Sequence, residues 1–323
     1  MQLPRRRFLH LAAGTLAAPL FPGLAAAGDY PTRPVHLLVG FAPGLAPDIV
    51  ARLIAQPLSE KLGQNIIIDN RPGAGSNIAA DAVVHAPADG YTLLYVTLGN
   101  AINASFYQHL DFDITRDIAP VAGTVRSPSV LAESLSVPAK TLPEFIAYAK
   151  ANPGKINFAS GGVGTAPHLA GELFKQTAGV DLVHVPYTSS YMPDLLAGRV
   201  QITFAPIATS IANIKAGKLR ALAVTGVIRS DVLPDVPTVA EFVKGYEASV
   251  WHGVGAPKDT SPESIGKLNR QIGAVIADPA VKARLNDLGA EPMPMTPGEF
   301  GKFIAEEVRK WANVIKLAGL KPV

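Results

Sequence analysis

The sequence predicts an α/β protein made of two lobes that are connected by a two-stranded hinge. Short apolar strands alternate with amphipathic helices, at a spacing typical of a parallel sheet covered by helices on both faces. The alternation stops after residue 96 and begins again near residue 142, which indicates two such units. The length agrees, because a chain of 323 residues is near the size at which a single core usually splits in two.

The first lobe opens with an apolar run, VHLLVG, that is typical of a buried strand. A helical pattern follows and stops at Gly63, where a helix C-terminus favours a residue that tolerates a positive φ angle. The predicted elements of this part are a strand at 35–40, a helix at 48–62, a strand at 65–69, a loop at 70–76, a helix up to residue 85 and a strand at 91–96.

The second lobe begins with a helix that is closed by Asn152-Pro153-Gly154, a combination typical of a turn. The predicted elements are helices at 142–151, 166–178, 191–197 and 211–216, and strands at 156–159, 182–185, 200–204 and 219–225. This repeated alternation again predicts a sheet flanked by helices.

The chain then returns to the first lobe through a strand at 250–256. It ends in amphipathic helices at 264–277, 280–288 and 297–318. Because the chain leaves the first lobe near 124–130 and returns near 249–255, two crossings form the hinge. We therefore expect the first lobe to comprise 28–127 and 250–323, and the second lobe 128–249.

The first 27 residues have the pattern of an export signal. Three arginines at 5–7 precede Phe8 and Leu9, an apolar run covers 11–24, and three alanines end at Ala27, as in a secretory signal peptide. The Arg-Arg-x-Phe-Leu pattern also resembles a twin-arginine export signal. The alternative is a retained membrane anchor, but Pro19 and Pro22 interrupt the apolar run. We expect cleavage near Ala27/Gly28 and a protein that works in the periplasm.

Composition and charge exclude several classes of function. The net charge of +3 comes from the three signal arginines, so the mature chain is formally neutral and offers no argument for binding nucleic acid. No cysteine is present, which excludes disulfides, thiolate metal sites and a cysteine nucleophile. We expect a globular monomer without a cofactor.

Two glycine-containing loops join a predicted strand to a predicted helix. The first covers 43–48, and the second covers 160–165. Helix N-termini expose unpaired N–H groups and a partial positive charge, so a glycine-lined approach makes an anion site without basic side chains. The alternative is that the glycines only allow tight turns. Asp48 is expected to cap the helix that follows the first loop.

The sequence predicts no catalytic residue and no metal site. It has no Gly-x-Ser-x-Gly elbow and no His-Glu-x-x-His motif. His168 and Glu172 are one helical turn apart, a spacing that suits a metal but more often a surface hydrogen bond. His36 and His184 are in apolar strands and are expected in or near the core. His252, in the returning strand, is a candidate to face the cleft between the lobes.

A series of motifs in order resembles one family along residues 30–318. The motifs are YPTRP at 30–34, FAPG at 41–44 with Asp48, NRPGAGSNI at 70–78, DGYTLL at 89–94, ANPGK at 151–155, HLAGELF at 168–174 after Gly164-Thr165, HVPY at 184–187, GKLRALAVT at 217–225 and LPDVPT at 233–238. The chain resembles the substrate-binding receptors of the tripartite tricarboxylate transporter family, also called Bug or TctC-like receptors.

The resemblance implies a two-lobed fold like that of type II periplasmic binding proteins, which closes on a small organic acid. It also implies capture of a carboxylate by main-chain N–H groups and delivery to the permease subunits of a membrane transporter. The implied ligand-binding residues are Phe41, Ala42, Pro43, Gly44, Leu45, Asp48, Thr97, Asn100, Ser160, Gly161, Gly162, Gly164, Thr165, His168, Tyr187 and Ala205.

The chain departs from the family pattern at positions that bear on ligand choice. Leu45 follows Gly44 where the family usually has a second glycine, Ala205 stands where an aspartate is common, and the segment 187–194 is shorter than usual. These changes favour an aromatic or aliphatic acid over a citrate-like or amino-acid ligand. Two other functions stay open: a receptor for a signalling system, and an exported hydrolase of small carboxylate esters.

Overall fold

The computed structural model describes residues 30–322, so the predicted signal segment at 1–27 lies outside the described residues. The strands are β1 (Val35–Val39), β2 (Ile66–Asn70), β3 (Thr92–Thr97), β4 (Ile118–Ser127), β5 (Ser129–Ser134), β6 (Ile156–Ser160), β7 (Leu182–Pro186), β8 (Ile202–Pro206), β9 (Leu219–Val224), β10 (Val250–Pro257) and β11 (Glu291–Pro292).

Helices cover both sheets that these strands form. They are α1 (Ala46–Leu62), α2 (Asn77–Val84), α3 (Leu98–Phe106), α4 (Leu142–Ala151), α5 (Ala166–Ala178), α6 (Met192–Leu196), α7 (Ile207–Lys215), α8 (Pro262–Ile276), α9 (Pro279–Asp287) and α10 (Pro297–Leu317). Within residues 30–322, no helix is long and apolar enough to cross a membrane.

The strands form two mixed sheets, one in each lobe. The first sheet has the order β11-β4-β10-β3-β1-β2, and the second has the order β7-β6-β8-β5-β9. In the first sheet β1 is parallel to β2 and β3, whereas β10 is antiparallel to both β3 and β4. In the second, β6 is parallel to β7 and β8, whereas β5 is antiparallel to β8 and β9.

The parallel sheet that was predicted for the first lobe is therefore only partly parallel. Strand β4 runs almost directly into β5, with only Pro128 between them, so one extended segment carries the chain out of the first sheet and into the second. Strand β10 brings the chain back beside β4 and in the opposite direction. Each sheet therefore contains antiparallel pairs next to the crossings: β10 with β4 in the first sheet, and β5 with β8 and β9 in the second.

Three elements in the middle of the chain were not predicted from the sequence, namely α3, β4 and β5. Helix α3 contains a glycine and two asparagines among its nine residues, a composition with low helix propensity. Packing against α10 compensates for this composition. Helix α7 also begins at Ile207, four residues before the predicted start at 211.

The C-terminal helix α10 packs against both lobes. It contacts β4 and α3 of the first lobe and α5 of the second, and one cluster of buried apolar side chains continues from one sheet to the other. The buried Glu307 carboxylate accepts hydrogen bonds from the indole N–H groups of Trp251 (2.8 Å) and Trp311 (2.9 Å). This contact fixes Trp251 toward α10, so that its neighbours on β10 point to the opposite face of the strand.

Candidate ligand-binding site

A cavity of about 400 Å³ lies between the lobes. Its wall from the first lobe comes from β3, α3, β10 and the loops before α1 and α2, and its wall from the second lobe comes from the start of α5. The lining residues are Phe41, Pro47, Gly75, Thr97, Leu98, Gly99, Ile102, Asn103, Phe106, Tyr107, Val163, Gly164, Thr165, Ala166, Val250 and His252. Among the residues that the structure describes, no Lys, Arg, Asp or Glu side chain belongs to this wall.

Three helices begin at this cavity. Pro47 is in the first turn of α1, Leu98 and Gly99 open α3, and Ala166 opens α5. The N–H groups in the first turn of a helix have no acceptor within the helix, and the helix dipole places a partial positive charge at that end. The cavity thus has a positive polar character without any cationic side chain, an environment that favours an anion.

The turns that lead into α1 and α5 have the same geometry, and we call residues 44–48 and 164–168 the first and second glycine turns. Gly44 and Gly164 have positive φ angles of 83° and 78°. Each turn continues with x-Ala-Pro, and the third residue of each helix is Asp48 or His168. This side chain reaches back and accepts a hydrogen bond from the glycine N–H.

In the first glycine turn the acceptor is an ionised carboxylate. Asp48 accepts hydrogen bonds from the Gly44 N–H (2.8 Å), Arg52 Nε (2.9 Å) and Asn70 Nδ2 (2.8 Å). Burial alone would raise the pKa of this carboxyl, but the hydrogen bonds from Arg52, Gly44 and Asn70 outweigh it and lower the pKa below its ordinary value. Asp48 thus stays charged and fixes the loop. The predicted capping role is corrected, because the N-cap residue is Leu45.

In the second glycine turn the acceptor is a neutral imidazole. His168 Nδ1 accepts the hydrogen bond from the Gly164 N–H at 3.0 Å, and the ring stacks on His184 with 3.7 Å between ring centroids. Burial, together with His184 and Lys175, lowers the pKa of His168 to about 3, and burial with Lys175 lowers that of His184 to about 4. Both rings are therefore uncharged at neutral pH.

Helix α3 uses a related contact with an amide, in which the donor is the N-cap residue itself. The Asn100 side-chain oxygen accepts hydrogen bonds from the Thr97 N–H (2.9 Å) and from Thr97 Oγ1 (3.2 Å). Asp48, Asn100 and His168, all predicted as ligand-binding residues, each occupy the third position of their helix and do not line the cavity. Their geometry supports the turns that form its wall.

The turn before α2 carries backbone strain at the cavity wall. Ala74 and Ser76 have positive φ angles of 46° and 80°, which cost energy for residues with a side chain. Asn103 Nδ2 holds this turn by donating to the Gly75 carbonyl (2.9 Å) and to Asn77 Oδ1 (2.9 Å). Gly75 itself lines the cavity.

A serine–histidine pair lies behind the second glycine turn. Ser160 Oγ is 2.6 Å from His184 Nε2 and donates to the Gly162 carbonyl. Ser160 is completely buried and is not part of the cavity wall, so a substrate in the cavity does not reach it. The pair holds the loop in place and does not form an exposed nucleophile.

His168 and Glu172 are close but do not form a group of metal ligands. His168 Nε2 is 3.8 Å from the Glu172 carboxylate, which also pairs with Lys175 at 3.0 Å. In residues 30–322, no group of three or more potential side-chain ligands has metal-binding geometry.

Four of the predicted site residues line the cavity, namely Phe41, Thr97, Gly164 and Thr165. The others lie outside the wall. Leu45 is 51% exposed, Tyr187 donates its hydroxyl to Asp194, and Ala205 is buried within β8. The remaining residues lie on either side of the cavity: Ala42, Pro43 and Gly44 are in the loop of the first lobe, and Ser160 ends β6 before Gly161 and Gly162 in the loop of the second.

Most of the apolar wall was not predicted from the sequence. It comes from Ile102, Phe106 and Tyr107 around the end of α3 and from Val250 on β10, whereas His252 lines the cavity as anticipated. One signal was present: the pattern Gly-x-Ala-Pro occurs at both 44–47 and 164–167, immediately before Asp48 and His168. This repeat marks the two equivalent turns.

Comparison with known proteins identifies the family. The family model described as "Tripartite tricarboxylate transporter family receptor" matches residues 50–320. Protein BugT of Bordetella pertussis is 36% identical over 320 residues, which is 97% of this chain and 96% of that protein.

Two solved structures from Rhodopseudomonas palustris are also similar. Rpa4515, solved with adipate, is 38% identical, has a TM-score of 0.74 and matches 91% of this chain and 100% of its own. MatC, solved with bound malate, is 31% identical, has a TM-score of 0.70 and matches 88% of this chain and 100% of its own. The likeness confirms the predicted two-lobed fold. The chain belongs to the receptor family of the tripartite tricarboxylate transporters.

Proposed function

We propose that the protein is an extracytoplasmic receptor that captures a small organic acid between its lobes and delivers it to a tripartite tricarboxylate-type membrane transporter. The observation that carries this proposal is the meeting of three helix N-termini at a cavity without charged side chains. A carboxylate matches this environment, because N–H groups and helix dipoles stabilise its charge without a buried cation.

The donors in this proposal are the main-chain N–H groups of Leu98, Gly99 and Ala166. All three residues line the cavity and belong to a first helical turn, where the N–H groups lack helical acceptors. The N–H groups of Gly44, Thr97 and Gly164 are already bound to Asp48, Asn100 and His168. These three hydrogen bonds hold the turns, and the free N–H groups bind the ligand.

The shape and polarity of the cavity support an acid with an apolar body. Ile102, Phe106, Tyr107, Val163 and Val250 form its apolar surface. An aliphatic chain or an aromatic ring buries its surface against them, whereas a citrate-like or amino-acid ligand leaves polar groups against apolar walls. Adipate in Rpa4515 is in line with this preference, although malate in MatC is more polar.

The mechanism in this proposal is closure of the lobes around the two crossings. The lobes comprise 28–127 with 250–323, and 128–249. Gly164 from the second lobe lies against Phe106 from the first, so both lobes contribute to one wall. A ligand that contacts both lobes binds the closed state more tightly than the open state and shifts the population toward closure.

Thermal unfolding of the purified protein with a panel of acids tests the proposal. The panel contains adipate, malate, citrate, benzoate and aspartate. A ligand at 100 times its Kd adds about 2.7 kcal/mol to the free energy of unfolding. We expect adipate or benzoate to raise the midpoint temperature and citrate and aspartate to leave it unchanged. No shift with any acid would contradict the proposed function, and a shift with citrate or aspartate alone would contradict the preference.

Delivery to a transporter has its own test. Cells that lack this protein are expected to lose uptake of the acid that stabilises it in the thermal assay, and the restored gene recovers uptake. Normal uptake together with a lost transcriptional response to the acid would instead support the signalling receptor.

Export through the twin-arginine route to the periplasm is part of the same proposal and rests on the arginines at 5–7. Replacing both Arg5 and Arg6 by lysine is expected to keep the precursor in the cytoplasm, as measured by fractionation. Unchanged export of this variant would favour the general secretory route.

A further inference from the structure

His252 is a buried polar side chain at the cavity wall. Unlike Asp48, Asn100 and His168, it does not hold one of the turns that form this wall. It is 4% exposed and lies on β10, two residues after Val250, which lines the same cavity. Trp251 between them points toward α10 and binds Glu307. The alternation along the strand thus directs His252 and Val250 to the ligand side.

The imidazole of His252 is incompletely satisfied. Its Nδ1 atom is buried and has no hydrogen-bond partner in the described part of the chain, while the ring packs at a tilt on Tyr95 with 5.2 Å between centroids. Buried polar atoms are paired in the great majority of cases, and an unpaired one costs about 1–3 kcal/mol. Because Nδ1 is fully enclosed, a ligand in the cavity does not reach it. The other ring nitrogen, Nε2, is not fully enclosed and has no hydrogen-bond partner among the described residues, so it is the atom that a ligand in the cavity meets.

The position of His252 relative to α3 indicates which part of the ligand it meets. His252 is paired directly with Thr97 in the antiparallel register of β10 and β3, and Thr97 is the N-cap of α3. Side chains at directly opposed positions on one face are neighbours. The ring therefore lies next to Thr97 at the start of α3, in the same cavity wall as Leu98 and Gly99.

We infer that His252 is a specificity-determining residue that hydrogen-bonds an oxygen of the acid held at the N-terminus of α3. This inference rests on the proposed function of the cavity. His252 and the N–H groups of Leu98 and Gly99 together form one end of the site, and the apolar residues of α3 contact the body of the ligand. The site thereby selects acids that present a carboxylate at this end.

The charge state of the ring fits this role. Burial lowers the pKa of His252 to about 4, so the imidazole is neutral at pH 7 and carries one N–H donor and one acceptor. Among the described residues packed around it, Tyr95 is the titratable group in ring contact, and burial raises the pKa of that phenol above its ordinary value. A neutral donor binds a carboxylate without leaving a cation in the empty cavity.

The test compares two substitutions of similar size, His252→Leu and His252→Gln. Leucine removes every hydrogen bond, whereas glutamine keeps a donor and an acceptor near the position of Nε2. Titration calorimetry measures adipate, malate and benzoate binding to the unmutated protein and to both variants. His85→Leu, a change at an exposed histidine on the far end of α2, is the matched control.

We expect His252→Leu to weaken the acids that bind the unmutated protein by about ten-fold or more, the usual effect of losing a hydrogen bond to a charged group. His252→Gln is expected to lose less affinity, and His85→Leu is expected to lose none. The ligand-free melting temperature of His252→Leu is expected to equal or exceed that of the unmutated protein, because the variant removes an unpaired buried atom.

Three results would overturn the inference. Unchanged affinity in His252→Leu would show that the ring does not contact the ligand. Equal losses in both variants would assign the effect to packing and not to hydrogen bonding. If none of the three acids binds the unmutated protein, the proposed function fails for this ligand class and the inference fails with it, whereas binding that His252→Leu leaves intact overturns the inference alone.

Discussion

The two glycine turns share one backbone plan and differ in what surrounds them. Both place a glycine with positive φ before x-Ala-Pro, and both bind the glycine N–H to the third helical residue. The first turn is held by the ionised Asp48 with Arg52, and the second by the neutral His168 stacked on His184. The comparison shows that one local geometry accepts a carboxylate or an imidazole, provided that the side chain offers an acceptor.

The turns also differ in how close the opposite lobe is. A Cβ atom added to Gly44 would meet nothing within 4 Å, whereas one added to Gly164 would lie 2.6 Å from the Phe106 ring. The second turn thus forms a close contact between the lobes, while the first turn lies at the edge of the cavity with Leu45 exposed to solvent. We therefore expect binding to depend more strongly on the second turn.

The largest expected effect is the loss of ligand affinity when one methyl group is added to the second turn. Gly164→Ala adds a side chain at a positive φ angle and against Phe106, so either the ring or the whole lobe must move. We expect an affinity loss of about 100-fold for the acid that stabilises the protein, equivalent to about 2.8 kcal/mol. Calorimetric titration measures it.

Two control variants sharpen this comparison. Gly161→Ala lies in the same loop with open space around its Cβ position and without a positive φ angle, so its affinity is expected to stay unchanged. Gly44→Ala shares the positive φ angle but lacks the contact. An equal loss in Gly44→Ala and Gly164→Ala would contradict the view that only the second turn closes on the other lobe.

Acidification is expected to affect the second turn before the first. The pKa of His168 is about 3 in the folded protein, below the ordinary value of 6.5 that applies after unfolding. The unfolded chain therefore binds the extra proton, and stability is lost as the pH falls below 6.5. His168 accounts for about 2 kcal/mol of this loss between pH 7 and pH 5. Asp48 contributes no loss in this window, because its pKa lies below 3.8.

Denaturant unfolding at pH 7 and pH 5 checks this difference. His168→Asn gives the second turn an amide acceptor, like that of Asn100 in α3, and removes the titrating group. The free energy of unfolding of this variant is therefore expected to fall less between the two pH values than that of the unmutated protein. Identical pH dependence of the two proteins would show that His168 is not held neutral by the fold.

A smaller effect is expected for the matching change in the first turn. Asp48→Asn keeps an acceptor for the Gly44 N–H but removes the ion pair with Arg52, whose side chain is 52% exposed. We expect a loss of about 1 kcal/mol in the free energy of unfolding at pH 7. If Asp48→Asn proves neutral while Asp48→Ala is destabilising, then the acceptor and not its charge holds the turn.

The smallest effect is expected at Leu45. Its side chain is half exposed and lies outside the cavity wall, so Leu45→Ala is expected to leave affinity and melting temperature unchanged. Ile102→Ala, which opens the apolar wall, is the comparison and is expected to weaken an aliphatic acid by about ten-fold. A larger loss in Leu45→Ala than in Ile102→Ala would mean that Leu45 moves into the cavity on closure.

Much of the fold was predictable because most strands are short apolar runs bounded by glycine or proline. Strand β1 is an example. Helix α5, which ends at a glycine, was equally predictable, and the structure places both elements within a few residues of the predicted ranges. Helix α3 and the β4–β5 passage were not predicted, since their stability comes from packing against α10 and from pairing with β10, β8 and β9. These partners are distant in sequence and leave no local periodicity.

The site was predictable at its turns and not at its walls. Glycine and proline at 43–47 and 160–167 indicated helix N-termini near a ligand, and Gly164 and Thr165 do line the cavity. The place of Phe106 and Tyr107 in the cavity wall depends on how α3 is oriented toward the second lobe. No local sequence pattern indicates that orientation. The roles of Asp48 and His168 behind the wall follow from hydrogen bonds that only the folded backbone defines.

We expect main-chain N–H groups at the N-termini of α3 and α5 to bind the carboxylate. The most direct measurement is the amide chemical shift in ¹⁵N-labelled protein during titration with adipate. We expect the amides of Leu98, Gly99 and Ala166 to show the largest proton shifts, and those of Gly44 and Gly164, already bound to Asp48 and His168, to shift less. Saturable shifts confined to residues outside the cavity, or no shift at any of the three amides, would contradict this expectation.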